Sequence, residues 1–252
     1  MPQLEHIEVI QGTDEWLAQR VGRLTSSRAY AAFKRNAPTK AGTLGKYSAK
    51  RAQLVAALAA ERVSGMAAYE APFRTEAMTR GSELEPEALA AYEAATGFAM
   101  VKSGFWAHPE LMVGVSFDGH TEDFRRVAEV KCFWPAAHLE LLEALSGGAT
   151  GLAAVPEEYR YQVLHEVAWV PECEQVDFVA YAGQEWPEAS RLLVVPMRTC
   201  ELPLDAYRRD VVDFLAEVHS KVEKIQAWPP RGQGVGLSLI HISEPTRRTP
   251  IS

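Results

Sequence analysis

Residues 113–133, VGVSFDGHTEDFRRVAEVKCF, contain two apolar runs separated by a polar turn. The first run ends at Ser116-Phe117-Asp118-Gly119, and the second contains Glu129-Val130-Lys131. Because side chains alternate between the faces of a strand, Glu129 and Lys131 share one face, and a hairpin between the runs can bring Asp118 beside them. The stretch therefore predicts two neighbouring strands on which two carboxylates and one ammonium group converge.

Each half of this pattern alone has an ordinary explanation. An Asp-Gly pair is common in hairpin turns, and a Glu and a Lys that flank a Val are typical of the solvated face of an edge strand. Together, however, two buried carboxylates repel each other unless a divalent cation lies between them, and Mg²⁺ prefers such oxygen ligands. An adjacent ammonium can position water or stabilise charge on phosphorus. The combination predicts metal-assisted phosphodiester hydrolysis.

Helical and strand patterns surround this stretch. Apolar spacing, capping residues and glycine stops predict helices over residues 13–20, 26–35, 46–63, 82–96, 136–145, 157–169 and 204–228. In the fourth of these, Pro86 is tolerated only in the first turn. Runs rich in Val, Phe and Trp predict strands over residues 98–106, 111–115, 127–133, 175–181 and 192–197. The order predicts an α/β fold with a mixed central sheet flanked by helices.

Composition favours a folded protein. Of the 252 residues, 47% are hydrophobic and 23% charged, which is the ordinary globular range and suits one large domain over residues 1–228 rather than two small ones. No apolar run approaches the length of a membrane span and the start lacks a secretory signal, so we expect a cytoplasmic protein without a membrane partner.

Residues 229–252 are expected to form a tail outside this domain. Its last part, residues 237–252 (LSLIHISEPTRRTPIS), carries no periodic pattern and resembles translated sequencing-adapter sequence. We therefore exclude residues 237–252 from the fold and function as a non-native segment.

Charge and cysteine content exclude several classes of protein. A net charge of −7 argues against a generally basic nucleic-acid binder, although it permits one local basic channel. The three cysteines are far apart and odd in number, which predicts free thiols rather than a disulfide framework or a metal clip. The seven histidines lack metal-ligand spacing, and none is assigned to a metal.

The Asp followed by Glu-x-Lys resembles the PD-(D/E)xK nuclease superfamily. Three further stretches narrow the resemblance to the lambda-exonuclease-like, YqaJ-type viral recombinases: residues 12–27 (GTDEWLAQRVGRLTSS), 80–97 (RGSELEPEALAAYEAATG) and 157–169 (EEYRYQVLHEVAW). The resemblance covers about residues 12–169 and implies a restriction-endonuclease-like core. Phe117 stands where many members have a proline, which weakens the motif without removing a ligand. The iron–sulfur branch has a cysteine cluster that this chain lacks, so no such cofactor is expected.

The resemblance also implies a set of site residues. Arg20 and Ser27 stand where the family forms its 5′-phosphate pocket, and Ser116 is grouped with them as a DNA-binding residue. Glu85 would add a carboxylate to the metal site, and Gln162 would face it. The implied catalytic residues are Asp118, Glu129, Lys131, Glu85 and Gln162, and the implied metal ligands are Asp118, Glu129, the Val130 carbonyl and Glu85. The implied metal is Mg²⁺, with Mn²⁺ as a substitute.

The residues outside the central stretch have alternative explanations. Arg20 is also explained as a surface cation paired with Asp14 or Glu15, and Ser27 as a helix-start residue. Glu85 would complement a helix dipole, and Gln162 would be a buried amide. Their occurrence in the family's order favours the site interpretation.

The resemblance implies an exonuclease that degrades linear double-stranded DNA from 5′-phosphorylated ends and leaves 3′ single-stranded tails. It also implies a single-strand annealing protein as partner, a ring-shaped homotrimer, and a phage or prophage origin in a bacterial host. One alternative is a structure- or site-specific endonuclease on the same core, which would not need the pocket at Arg20 and Ser27. Another is a nonenzymatic DNA-binding protein with a degenerate core.

Overall fold

The computed structural model describes residues 3–37, 45–68 and 75–228. The described strands are β1 (Glu5–Ile7), β2 (Leu24–Thr25), β3 (Phe105–Ala107), β4 (Val113–Val115), β5 (Gly119–His120), β6 (Arg126–Cys132), β7 (Gln175–Tyr181) and β8 (Leu192–Arg198). The α-helices are α1 (Asp14–Gln19), α2 (Ser26–Phe33), α3 (Ala49–Ser64), α4 (Glu76–Thr96), α5 (Pro135–Ser146), α6 (Gly151–Ala154), α7 (Glu157–Val167) and α8 (Leu204–Gln226).

The strands form two four-stranded mixed sheets. The first has the order β1-β3-β4-β2, with only the β2–β4 pair parallel. In this sheet Gly114 lies under the ring of Phe105, and a Cβ at that position would come within 2.1 Å of the ring. Glycine is therefore required there, because any side chain would displace a fully buried aromatic ring.

The second sheet has the order β5-β6-β7-β8. It contains Glu129 and Lys131, which lie on β6. Strand β6 lies between β5, which is antiparallel to it, and β7, which is parallel to it in register from Arg126 with Gln175 to Cys132 with Tyr181. Strand β8 closes the sheet antiparallel to β7. Parallel strands are usually covered on both faces, and β6 and β7 are covered on both of theirs, although β6 also carries the charged residues Glu129 and Lys131.

The two faces of this sheet pack against different helices. On one face Ala128 and Val130 pack with Ala88 and Tyr92 of α4. On the other face the alternate residues, including Val127 and Phe178, join the main core with α2, α3, α7 and α8. Glu129 and Lys131 belong to the second set by alternation, so they point to the side of the sheet on which α7 packs.

The structure differs from the sequence prediction at helix α4. The expectation that Pro86 lies in the first turn is wrong, because α4 begins at Glu76, with Thr75 as N-cap, and Pro86 lies in its interior. Proline removes the helical hydrogen bond to the carbonyl four residues earlier. The helix continues because Ala88 and Tyr92, just beyond the proline, are fully buried against the second sheet.

The predicted strand over residues 98–106 is also corrected, whereas the predicted α/β fold with a mixed sheet flanked by helices is confirmed, its strands being divided between two sheets. Only Phe105–Ala107 forms a strand, in the first sheet, whereas Val101 makes an isolated antiparallel bridge to His120 at the edge of the second. The segment is divided because its two ends pair with different sheets. The apolar pattern marks both ends as extended but cannot assign them to separate partners.

Most other predicted elements are confirmed within a few residues. The tail over residues 229–252, with its proposed non-native segment, lies outside the described residues. Among the described helices, none combines the length and the apolar character that crossing a membrane requires.

Candidate active site

Asp118 lies at the entrance to the hairpin between β5 and β6. Gly119 and His120 pair with Ala128 and Val127, and the ladder ends where Asp118 begins. At that point the backbone N–H of Val130 donates to the Asp118 carboxylate over 2.9 Å. The hairpin predicted from the sequence thus places Asp118 directly beside the strand that carries Glu129 and Lys131.

Glu129 and Lys131 form a buried ion pair on one face of β6. The ammonium of Lys131 donates to a carboxylate oxygen of Glu129, and it also lies 3.2 Å from the Val130 carbonyl oxygen. The Glu129 side chain is fully buried. Burial alone would lower the pKa of Lys131, but the carboxylates of Glu129 and Asp118 outweigh it and raise that pKa above its ordinary value. Lys131 therefore stays cationic.

The carboxylate of Asp118 is unfavourable in its ionised form. Burial, followed by the negative charge of Glu129, raises the pKa of Asp118 to about 8, although Lys131 acts in the opposite direction. A more distant contribution in the same direction comes from Glu85. A site in which ionised carboxylates repel one another favours an added cation.

Glu85 lies on α4, immediately before Pro86, and faces the same region. Its carboxylate pairs with the ammonium of Lys102 over 2.5 Å. A lysine thus neutralises Glu85, just as Lys131 neutralises Glu129. Lys102 lies in the segment between the two sheets and was not singled out from the sequence.

A cleft of about 860 Å³ joins most of the predicted residues. Those that line it are Ser27, Glu85, Asp118, Val130, Lys131 and Gln162. Glu129 is buried directly behind Lys131 rather than in the cleft wall. A larger cavity, of about 1140 Å³, lies around the first residue of β6, Arg126, and contains none of the predicted site residues.

Arg20 and Ser27 are in direct contact at one side of this cleft. The Arg20 guanidinium donates to the hydroxyl oxygens of Ser27 over 2.7 Å and of Thr25 over 3.2 Å. Burial, followed by repulsion from Arg28, lowers the pKa of Arg20 to about 10. The guanidinium still remains positively charged at neutral pH. A half-buried cation beside hydroxyl groups at the start of a helix is a suitable anion site.

Ser116 does not line the cleft, but its hydroxyl contacts Trp16, which lies beside Arg20. The indole N–H of Trp16 donates to the Ser116 hydroxyl over 2.8 Å, and the Arg20 guanidinium lies 4.2 Å from the centre of the Trp16 ring. The side chain of Ser116 thereby fixes the aromatic surface beneath Arg20. In this structure Ser116 connects the end of β4 to the predicted phosphate pocket.

The structure adds two residues that sequence reasoning missed. Glu166 is a fully buried carboxyl on α7, one helical turn after Gln162, and that four-residue spacing was the signal that could have identified it. Trp134 lines the cleft with 47% of its surface exposed, and the Arg80 guanidinium lies 4.8 Å from its ring centre. A half-exposed tryptophan beside a charged cleft offers a flat apolar surface to a ligand.

The donor groups suit a hard divalent cation, although they are not collected around one point. Within residues 3–37, 45–68 and 75–228, no three His, Cys, Asp or Glu side chains are arranged to hold a metal ion. The lysine contacts to Glu129 and Glu85 occupy two of the carboxylates. However, Oε2 of Glu129 has no donor in this part of the chain apart from the neighbouring Glu166 carboxyl, with which it shares a proton that a cation can replace. The oxygen donors are therefore of the kind that a divalent cation prefers.

Comparison with known proteins supports this assignment of the fold. The family model of the YqaJ-like viral recombinase domain matches residues 15–174. The crystal structure of an alkaline exonuclease from Laribacter hongkongensis is 28% identical, with a TM-score of 0.68 over 85% of this chain and 96% of that one. The same enzyme in complex with dAMP gives a TM-score of 0.67 at the same identity and coverage.

A more distant structure shares the fold alone. The phage-related exonuclease from Haemophilus somnus 129PT is 14% identical, with a TM-score of 0.54 over 81% of this chain and 95% of that one. None of the curated protein sequences gives a significant match. The matches cover 95–96% of each solved chain, so this chain contains the whole fold seen in those structures.

Proposed function

Since this chain belongs to the YqaJ-like viral recombinase family, we propose that it is a DNA exonuclease that degrades linear duplex DNA from 5′-phosphorylated ends. Exonuclease activity is supported by the family and by the 28% identical alkaline exonuclease, which covers 85% of the chain. One observation carries the choice of end: Ser27, held by Arg20 over 2.7 Å, lines the same cleft as Asp118 and Lys131.

The proposed metal ligands are the carboxylates of Asp118, Glu129 and Glu85 together with the Val130 carbonyl. Mg²⁺ or Mn²⁺ bound by these oxygens would supply positive charge to the scissile phosphate and lower the pKa of the attacking water. Support comes from the raised pKa of Asp118, about 8, which results from burial and the charge of Glu129. It also comes from Oε2 of Glu129, which has no donor in the described part of the chain except the proton shared with the Glu166 carboxyl.

Lys131 has the geometry of a charge-stabilising residue. Its ammonium reaches the cleft from a buried stem and remains charged because two carboxylates adjoin it. An ammonium held in this way can orient water or stabilise negative charge that develops on the phosphate, without reorganising during the reaction. Gln162, on the α7 side of the same cleft, has an amide that can bind the water or a phosphate oxygen.

Arg20 and Ser27 would hold the terminal phosphate. A phosphate at this position would receive charge-assisted hydrogen bonds from the Arg20 guanidinium and one from the Ser27 hydroxyl. Because an endonuclease acts within a strand, it has no use for a terminal-phosphate site beside its catalytic residues. The contact between Arg20 and Ser27 therefore favours an enzyme that acts at ends.

The exposed ring of Trp134 provides a wall against which a base can stack. Aromatic rings bind unpaired bases of any sequence through stacking. Trp134 is fixed in place, because its ring contacts Arg80, whose guanidinium donates to the backbone carbonyls of Phe133 and Ala182 over 2.9 and 2.7 Å. The proposed role of this wall is to hold the strand that enters the cleft.

The proposal includes the biological setting that the family implies. The product would be a 3′ single-stranded tail for a single-strand annealing protein, in the cytoplasm of a bacterium that carries a phage or prophage. A ring-shaped homotrimer around the DNA is the proposed assembly.

Digestion of end-labelled linear DNA and closed circular DNA in Mg²⁺ tests the proposal. We expect progressive release of nucleotides from the 5′ end of linear duplexes and no cleavage of closed circles. Linear substrates with a 5′-phosphate should be consumed faster than those with a 5′-hydroxyl. Linearisation of closed circles would instead indicate an endonuclease, and binding without cleavage of either substrate would indicate a nonenzymatic protein.

A further inference from the structure

Glu166 lies behind the proposed metal site on helix α7. Its side chain is fully buried, one helical turn beyond Gln162, which lines the cleft. The side chains of α7 at this spacing face the side of the second sheet from which Glu129 projects. Burial, followed by the adjacent charge of Glu129, raises the pKa of Glu166 well above its ordinary value.

The carboxyl groups of Glu166 and Glu129 lie within hydrogen-bonding reach of each other and share a proton. Apart from that contact, neither oxygen of Glu166 nor Oε2 of Glu129 has a hydrogen-bond partner in the described part of the chain. Two buried carboxyl groups held together only by a shared proton are unusual, because they repel each other as soon as both are ionised. A folded protein that retains such a cluster must satisfy these oxygens in some other way.

The ammonium of Lys131 does not compensate the charge of both carboxyl groups. Its ammonium is directed to Oε1 of Glu129 and to the Val130 carbonyl, which leaves Oε2 of Glu129 and both oxygens of Glu166 with no donor except the proton that the two carboxyl groups share. One ammonium also provides a single positive charge for Glu129 and Asp118, before Glu166 is added. The surplus of oxygen ligands over donors is what a divalent cation would compensate.

We propose that Glu166 supplies a further carboxylate to the divalent-cation site, beside Glu129. This inference rests on the metal-dependent chemistry of the proposed function. Glu166 holds the cation, or a water in its hydration shell, from the side of α7, whereas Asp118 and Glu85 approach from the side of the cleft. A bound cation therefore replaces the proton that the carboxyl groups of Glu166 and Glu129 otherwise share.

Calorimetric titration of the metal-free full-length chain with MnCl₂ tests the inference. We expect Glu166→Gln to weaken Mn²⁺ binding about 10- to 100-fold, the range seen when groups that support a metal site are removed. Glu157→Gln is the matched control, because it removes one charge from the exposed first turn of the same helix. That variant should bind Mn²⁺ as the original chain does.

Melting temperatures provide a second readout that a merely structural role would not produce. Without metal, Glu166→Gln should melt at the same or a higher temperature, because a neutral amide can donate to the Glu129 carboxylate without the repulsion of a second negative charge. With Mn²⁺, its increase in melting temperature should be smaller than that of the original chain. If Glu166→Gln does not fold, Glu166→Met, which fills a similar volume without polar atoms, takes its place in both measurements.

The outcomes separate this inference from the proposed function. Unchanged Mn²⁺ affinity in Glu166→Gln, with an original chain that binds Mn²⁺ and digests linear DNA, would overturn the role of Glu166 and leave the exonuclease proposal intact. A lower melting temperature without metal, together with an unchanged response to Mn²⁺, would make Glu166 a structural residue only. If the original chain binds no Mn²⁺ at all, the metal-dependent mechanism itself is wrong.

Discussion

The backbone N–H of Val130 donates a 2.9 Å hydrogen bond to the carboxylate of Asp118, twelve positions earlier in the chain. This bond takes the place of the next rung of the β5–β6 ladder, so the side chain of Asp118 is fixed by the strand that carries Glu129 and Lys131. The distance between the proposed metal ligands is therefore set by sheet geometry. Such placement on regular strands gives a more precise site than placement on loops.

Replacement of Lys131 by alanine should abolish Mg²⁺-dependent release of nucleotides from linear duplex DNA. We expect a loss of about a hundredfold or more, because a preorganised charge-stabilising group contributes on that order. The chain should still fold in Mg²⁺, since the cation compensates the negative charge that Lys131 otherwise balances. The measurement is nucleotide release with circular dichroism in parallel, and Lys221→Ala, an exposed lysine of α8, is the control. Undiminished activity of Lys131→Ala would exclude the mechanism.

The stability of the metal-free protein should fall as pH rises from about 4 to about 8. The pKa of Asp118 is raised to about 8 in the folded protein, first by burial and then by Glu129, whereas an unfolded aspartate has a pKa of about 4. Between these values the folded state retains a proton that the unfolded state has lost, so the free energy of unfolding decreases with pH and levels off above the folded pKa.

Added Mg²⁺ should oppose this decrease, because the cation binds the ionised carboxylate. The increase in melting temperature on adding Mg²⁺, and the exonuclease rate, should both grow as pH approaches 8. Melting curves in EDTA and in Mg²⁺ over this pH range measure the effect, with Asp118→Asn as the variant that should lose the trend. A response to Mg²⁺ that is equal at all pH values would contradict the assignment.

Replacement of Arg20 by alanine should reduce the preference for 5′-phosphorylated over 5′-hydroxyl ends. We expect the rate ratio to fall about tenfold, because a hydrogen bond to a charged group contributes about 1.5–3 kcal/mol. Ser27→Ala should change the ratio in the same direction by a smaller factor. Arg209→Ala, an exposed arginine on α8, serves as the control. If the ratio of the two rates is the same in Arg20→Ala as in the original chain, the phosphate pocket lies elsewhere.

Replacement of Trp134 by alanine should weaken binding of single-stranded DNA by about 1–3 kcal/mol, the contribution of one stacked base. Trp134→Phe should retain most of the affinity, because the ring remains. Leu139→Ala is the matched control, since Leu139 is an exposed apolar residue of α5 that does not line the cleft. Fluorescence anisotropy of a labelled oligonucleotide gives the affinities. Equal weakening by Trp134→Ala and Leu139→Ala would argue against stacking.

The sequence was informative about the site where chemistry and strand alternation coincide. Glu129 and Lys131 were predicted on one face from their spacing of two, and the structure places their charged groups in contact. A hairpin that brings Asp118 beside β6 was also predicted and is confirmed, although the Asp-Gly pair is not its turn, because Gly119 and His120 form β5 and the chain turns after them. These relationships are local in sequence, within about twenty residues, so periodicity and turn chemistry suffice to infer them.

Relationships between distant segments were harder to predict. Helix α4 tolerates Pro86 in its interior because its later half packs on a sheet formed by residues far along the chain. The pattern in 98–106 was extended, yet nothing local indicated that its ends join different sheets. Glu166 was missed because a glutamate on a helix is ordinarily solvated, and its burial beside Glu129 depends on how α7 packs on the second sheet.

Strand β6, which carries Glu129 and Lys131, has β7 as its parallel neighbour along its full length, and the two strands are separated in the chain by the two helices α5 and α7 and the short helix α6. During synthesis on the ribosome, β6 consequently has no partner on that side until about residue 181 has emerged. Pairing between such distant segments follows rather than precedes local folding. The proposed catalytic residues are translated early but assembled late, so we expect a nascent or truncated chain that ends before β7 not to degrade DNA.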